Sequence, residues 1–183
     1  MSVSEATYRQ VALEDPHGKW ELVCGRLRQK PPMTSPHEET SFRLPFLLQV
    51  QLEGQPFHVR HDQSRLRVQT GSYYVPDVFV VPAEALPPGW QTSEELEVFD
   101  RPLPFVAEVW SRSTGDYDAS EKLAEYRRRG DLEVWLVHPY ERTVTAWRRQ
   151  PDGGYAEHAF PGGRVTIGPL PGVSIDLDSL FRR

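Results

Sequence analysis

Several protein classes can be set aside from what this sequence lacks. A single cysteine, Cys24, among 183 residues rules out an intramolecular disulfide and any multi-cysteine metal centre. No stretch approaches the roughly 20 consecutive apolar residues that span a bilayer. The N-terminus carries acids instead of an apolar leader core, so a cytoplasmic protein without membrane association is expected. Excess positive charge is also missing. Asp and Glu total 26 against 21 Lys and Arg, a formal net charge of -5, which argues against a protein that coats nucleic acid through a broadly basic surface. The chain has no G-x-S-x-G elbow, no H-E-x-x-H, no paired C-x-x-C and no G-x-x-x-x-G-K-[ST] loop, which disfavours serine hydrolases, zinc enzymes and P-loop nucleotidases. Internal repeats, heptads and low-complexity blocks are absent too.

What remains is an ordinary globular composition with 17 prolines, which points to many turns and strand ends and away from a helical bundle. A chain of this length is expected to fold as one domain over residues 1–183 without structural metal or disulfide. Trp20-Glu21-Leu22-Val23, then Cys24-Gly25 and Arg26-Leu27-Arg28, read as a β-hairpin. Ser35-Pro36-His37-Glu38 is a helix start, with serine as N-cap and glutamate as capping-box partner. Phe42, Phe46, Leu47 and Val50 recur at helical spacing and predict a helix from about Pro36 to Glu53, with Pro45 as a candidate kink.

Strand patterns follow at Phe57 to Val59, Leu66 to Val68 and Tyr73 to Val81, and then an excursion from Pro82 to Pro102 with the character of a surface flap. Pro104 to Trp110 reads as a buried strand. Tyr117 to Arg129 reads as a helix closed by Gly130, with Asp118, Lys122 and Tyr126 on one face. Strands at Glu133 to Val137 and Thr143 to Trp147, further candidates near Tyr155 and Val165, and a short helix around Leu177 to Phe181 complete a mixed α/β order. The expected architecture is α/β (α+β): helices flanking a central mixed β-sheet, after an N-terminal hairpin. Basic residues cluster at Arg60 to Arg67, at Arg127 to Arg129, and at Arg142, Arg148 and Arg149, so a local basic track is possible although each cluster is ordinarily a solvated face.

The sharpest chemical signal is a pair of acids in apolar strand contexts, Asp77 in Pro76-Asp77-Val78-Phe79 and Glu108 in Val106-Ala107-Glu108-Val109. Burying two carboxylates together requires a cation or a shared proton. If the strands are neighbours, both acids could converge on one Mg²⁺, a hard ion that prefers oxygen ligands and would assist phosphodiester hydrolysis, with Lys122 orienting water or neutralising the transition state. Each residue alone admits a plainer reading. Pro-Asp can start a turn, a strand glutamate can face solvent at an edge, and Asp118 with Lys122 fits a surface ion pair worth about 0.3 to 0.5 kcal/mol. His37, Asp118, Tyr126 and Ser111 are weaker site candidates; His37 sits at a helix start, and Ser111 to Thr114 suit strand termination and helix capping as well as phosphate contacts.

Taken together, Trp20 to Gly25, Ser35-Pro36-His37, Val75-Pro76-Asp77-Val78, Ala107-Glu108-Val109-Trp110-Ser111-Arg112-Ser113-Thr114, the Asp118, Lys122 and Tyr126 helix, and Glu133 to Pro139 resemble the Uma2 family of restriction-endonuclease-like proteins, in the PD-(D/E)xK nuclease superfamily. The resemblance covers nearly the whole chain. It implies a restriction-endonuclease-like fold and an Mg²⁺- or Mn²⁺-dependent endonuclease acting on DNA as a homodimer. Asp77, Glu108 and the backbone carbonyl of Val109 would be metal ligands. The superfamily lysine would stand at Trp110, and the resemblance assigns its role to Lys122 on the following helix. Cys24, Arg112 and His138 are further departures, at positions where similar proteins carry an acid or amide, a proline and an aspartate. Two other readings stand beside this one: a nuclease fold without catalysis that binds nucleic acid or a protein partner, and a structural or toxin-antitoxin-like module whose acids pair with arginines without metal.

Overall fold

The computed structural model describes residues 2–112 and 115–182, with the side chains of 115–119 outside the description. The chain opens with α1 (Glu5–Glu14), capped by the Ser4 hydroxyl accepting from the Thr7 N–H. The sequence reading contains no helix here, because α1 buries only Tyr8 and Ala12 and so lacks a wide apolar stripe. The predicted hairpin is β1 (Trp20–Val23) and β2 (Arg26–Gln29). Cys24 and Gly25 both take positive φ, 48° and 75°, as a two-residue type I′ turn requires.

Helix α2 (Ser35–Leu52) starts one residue before the predicted Pro36, and its N-cap is Thr34 instead of Ser35. Thr34 makes no side-chain cap bond; its hydroxyl pairs instead with the Tyr140 hydroxyl at 2.8 Å. The helix also turns a different stripe to the core than Phe42, Phe46 and Val50, which are exposed. His37, Ser41, Leu44, Leu48 and Leu52, at intervals of three to four residues, face inward. Pro45 lies within the helix on the buried side.

The predicted strand from Tyr73 to Val81 is two strands in different sheets, β5 (Tyr73–Tyr74) and β6 (Val78–Pro82). Pro76 offers no N–H to a ladder and holds Val75 extended, so the chain changes sheets across Val75-Pro76-Asp77. With β3 (Phe57–His61), β4 (Arg65–Arg67), β7 (Val98–Phe99), β8 (Phe105–Val109), β9 (Glu133–His138), β10 (Thr143–Arg149) and β11 (Tyr155–Phe160), these strands form two sheets. One is six-stranded, in the order β11-β10-β9-β8-β6-β3; the other is five-stranded, in the order β2-β1-β5-β4-β7. The stretch read as a flap holds short 3₁₀ turns at Ala83–Ala85 and Trp90–Thr92, and its far end is tied down. β7 pairs in parallel with β4, and Arg60 clasps Glu97 through Nε at 3.0 Å.

In the six-stranded sheet β8 and β9 run parallel, and α3 (Gly115–Arg129) makes the crossover between them. Gly130, at φ 92°, ends that helix. One face of the sheet packs Val78, Val80, Phe105, Ala107 and Val109 with Trp135 and Val137 beneath α2, the β-ribbon of β12 (Arg164–Thr166) and β13 (Ser174–Asp176), and α4 (Leu177–Leu180). The other face packs Phe79, Val81, Val106 and Val134 against Leu123 and Tyr126 of α3. β8 is buried along its whole length, which explains its continuous apolar pattern around a single acid. No helix among the described residues is long and apolar enough to cross a membrane.

Candidate active site

The register of β6 against β8 pairs Val78 with Ala107, so the next residues outward, Asp77 and Glu108, stand opposite each other at the mouth of the two strands. Strand alternation turns both toward the α3 face of the sheet. Asp77 belongs to no ladder itself, because Pro76 has just ended the strand pairing. Its carboxylate instead accepts the Val109 N–H at 2.7 Å on Oδ2. The strand break and the buried acid are thus a single device: an edge left open by proline is closed by a side chain.

Lys122 reaches this point from α3. Its ammonium lies 2.6 Å from Glu21 Oε1 and 3.8 Å from Glu108 Oε1. One turn later Tyr126 donates its hydroxyl to the same Glu108 oxygen at 2.6 Å. The predicted trio Asp77, Glu108 and Lys122 is therefore brought together, with Tyr126 beside it. His37, at the start of α2, joins them, its Nε2 3.5 Å from Asp77 Oδ2 and its Nδ1 held by the Ser41 hydroxyl at 3.2 Å. Ser111 lines the cleft and is buried. The Asp118 side chain, with Ser113 and Thr114, lies outside the described residues.

Two site residues have no counterpart in the sequence reading. Glu21 on β1 is buried, and its Oε1 also accepts the Val75 N–H at 2.9 Å, so it ties the second sheet to the strand break beside Asp77. The signal was an acid within an apolar strand, as at Glu108, hidden inside a segment read only as a hairpin. Lys30 follows β2 and sends its ammonium 2.6 Å from Asp77 Oδ1 and 3.2 Å from Asp62 Oδ1, while Lys19 takes the other Asp62 oxygen at 3.1 Å. Nothing in the local pattern distinguishes Lys30 from a solvated hairpin lysine.

The electrostatics divide the two acids. Burial alone would raise Asp77, but the Lys30 ammonium and the His37 contact hold its carboxyl well below the usual range. Glu108 is pushed up to about 8 by burial, with Asp77 adding to the rise. Attraction to Lys122 and the Tyr126 hydrogen bond do not reverse it. Burial opposes the charge on both lysines, yet Asp77 and Asp62 raise Lys30, and Glu108 and Glu21 raise Lys122. Two ammonium groups thus face three buried carboxylates, and Glu108 is the acid that lacks compensation.

This donor set fits a divalent cation. The cavity among Asp77, Glu108, Lys122, Lys30 and His37 measures about 40 Å³, against about 10 to 15 Å³ for one water. Among the described residues no cluster of three or more His, Cys, Asp or Glu side chains is arranged around one metal position. The side-chain share would then be Asp77 and Glu108, with the Val109 carbonyl and water completing the shell. That is how Mg²⁺ is commonly held, through one or two carboxylates and retained waters. Among the described residues, the groups that hold the two acids include ammonium, imidazole, phenol and backbone amide.

No curated protein matches the chain. Among solved structures, one described as a "putative nuclease belonging to DUF820 from Anabaena variabilis ATCC 29413" shares the fold, with a TM-score of 0.73 and 19% identity over 88% of this chain and 89% of that one. The family model described as "Putative restriction endonuclease" matches residues 6–178. That span contains every residue of the cleft, and the chain belongs to the Uma2 family.

Proposed function

We propose that this chain is a metal-dependent endonuclease that hydrolyses phosphodiester bonds of DNA, with Asp77, Glu108 and Lys122 as its catalytic residues. The observation that carries the reading is the facing pair Asp77 and Glu108 at the open end of β6 and β8, with the Lys122 ammonium 3.8 Å from Glu108. Asp77, Glu108 and the Val109 carbonyl would hold Mg²⁺ or Mn²⁺. When bound, such an ion polarises a phosphate oxygen, lowers the pKa of bound water and offsets charge on the leaving oxygen.

The chain's own residues do the positioning. The Val109 N–H and His37 fix one Asp77 oxygen, leaving its remaining lone pairs directed by Lys30. Tyr126 fixes the rotamer of Glu108 from the buried side. Glu21 keeps Lys122 charged and aimed into the cleft, where the ammonium can hold a water or neutralise charge growing on a phosphoryl oxygen. A homodimer would let two such clefts address two strands.

The test combines binding with cleavage. Mg²⁺ or Mn²⁺ should raise the melting temperature, and Asp77→Asn with Glu108→Gln should abolish that shift together with cleavage of plasmid, linear and single-stranded DNA. A metal shift that persists in the double variant contradicts the ligand assignment. The non-catalytic reading draws on the closer approach of Lys122 to Glu21 than to Glu108. Metal-dependent stabilisation without cleavage of any of the three substrates would favour it. Size-exclusion chromatography with light scattering tests the dimer.

A further inference from the structure

Beyond Glu108 the β8–β9 pairing continues one step, with the Trp110 N–H donating to the Val137 carbonyl at 2.8 Å. Alternation along an extended strand therefore puts Trp110 on the same side of the sheet as Glu108. His138 lies on that side too, two residues after Leu136, the register partner of Glu108. The two rings stack, with centroids 4.4 Å apart and planes at 23°. The His138 ring is steadied by the Glu141 N–H donating to its Nδ1 at 3.1 Å.

Tyr140 meets the indole edge-on at 5.6 Å and is fixed by its hydrogen bond to Thr34, just before the helix that carries His37. The Arg112 guanidinium covers the Tyr140 ring at 4.6 Å from its centroid. Trp110, His138 and Tyr140 are half-buried and Arg112 is exposed. Three rings and a cation thus stand at the rim of the acidic cleft, whose wall includes Ser111.

Two strand residues advance about 6.6 Å, the reach of a nucleotide from its phosphate to its base. We propose that Trp110, His138, Tyr140 and Arg112 form a stacking platform for an unpaired nucleobase next to the phosphate at Asp77 and Glu108. The preferred substrate is then single-stranded nucleic acid or a frayed end; this deepens the nuclease reading and rests on it. Bases inside a duplex hide their π faces, whereas unpaired bases stack on aromatic and guanidinium planes with little sequence preference. The net charge of -5 adds weight, because a protein without a broad basic surface draws less of its affinity from phosphates.

The experiment measures anisotropy of three labelled probes in EDTA: a single strand, an abasic strand of equal length and a blunt duplex. The base-bearing strand should bind about tenfold tighter than the abasic one, and tighter than the duplex. Trp110→Leu should bring the ratio to the abasic strand near one, and Arg112→Gln, at an exposed position, should lower it several-fold without changing the melting temperature. Equal binding of base-bearing and abasic strands by the unaltered chain, a preference for the duplex, or a ratio unmoved in the folded Arg112→Gln variant overturns the platform and leaves the nuclease reading standing. Failure to bind any of the three probes in EDTA also overturns the platform, whereas the nuclease reading falls only if Mg²⁺ and Mn²⁺ support no cleavage.

Discussion

Lys30→Met removes the ammonium that sits between Asp77 and Asp62 and leaves most of the aliphatic stem in place. Asp77 is 1% exposed as a residue, so losing its 2.6 Å partner strands a carboxylate in the interior. Breaking a buried pair from one side costs about 3 to 5 kcal/mol. The lower end applies, because Asp77 keeps the Val109 N–H and His37, and Asp62 keeps Lys19. About 3 kcal/mol corresponds to a fall of roughly 6 to 12 °C in melting temperature for a chain of this size. Mg²⁺ should restore much of it. A divalent ion at Asp77 and Glu108 supplies the missing charge and no longer contends with an ammonium, which about 4 Å from a doubly charged ion is repelled by about 8 kcal/mol at an effective dielectric constant near 20. Differential scanning fluorimetry at pH 7, in EDTA and over a Mg²⁺ series, should show the variant melting lower without metal and gaining more than the unaltered chain with it. An unchanged melting temperature in EDTA, or a Mg²⁺ increment no larger than that of the unaltered chain, would refute the assignment of Lys30 as the resident counter-charge of the metal site.

Other substitutions separate the site from its scaffold. Tyr126→Phe removes only the hydroxyl that donates to Glu108, and in urea denaturation at pH 9, above the raised Glu108 value of about 8, should cost about 1.5 to 3 kcal/mol. Asp131→Asn disrupts a carboxylate that accepts from Arg129 at 2.6 Å and the Leu103 N–H at 2.7 Å; it should destabilise by about 3 kcal/mol while leaving the Mg²⁺ increment intact, because it lies outside the cleft. Leu48→Ala should cost about 2 to 5 kcal/mol, whereas Phe46→Ser on the exposed stripe of α2 should stay within about 0.5 kcal/mol by the same assay. Cys24→Asn should stabilise by a fraction of roughly 1 kcal/mol, since asparagine takes the left-handed conformation of this turn at less cost than cysteine.

The elements that were legible in the sequence are those whose pattern reports their own burial. β8 reads as a strand because five consecutive residues are buried and only one is an acid, and that acid was legible for the same reason. The pairing of Asp77 with Glu108 required a condition that composition does not supply, namely that β6 and β8 be neighbours. What stayed hidden depends on the second sheet. α1 has too narrow an apolar face to announce a helix, and the division of Tyr73 to Val81 between two sheets is decided by Pro76 only once both sheets exist to receive the halves. Glu21 and Lys30 enter the cleft because β1 pairs with β5 through Leu22 and Tyr73, a contact across some fifty residues that no local window contains.

α2 shows a subtler failure of periodicity. The helix carries two apolar stripes with the same spacing, one through Phe42, Phe46 and Val50 and one through Leu44, Leu48 and Leu52, and spacing cannot tell which one faces in. Ser41 and His37 decide it here, because the stripe that continues through them points His37 at Asp77. Trp110, Arg112 and His138 complete the argument from the opposite direction. Trp110 stands where the superfamily lysine would be, Arg112 and His138 depart from the family pattern, and the parallel register of β8 and β9 gathers all three with Tyr140 at one rim of the cleft. The rim stays hidden in the sequence because its members come from the ends of β8 and β9, and only the pairing of those two strands sets the rings and the guanidinium side by side.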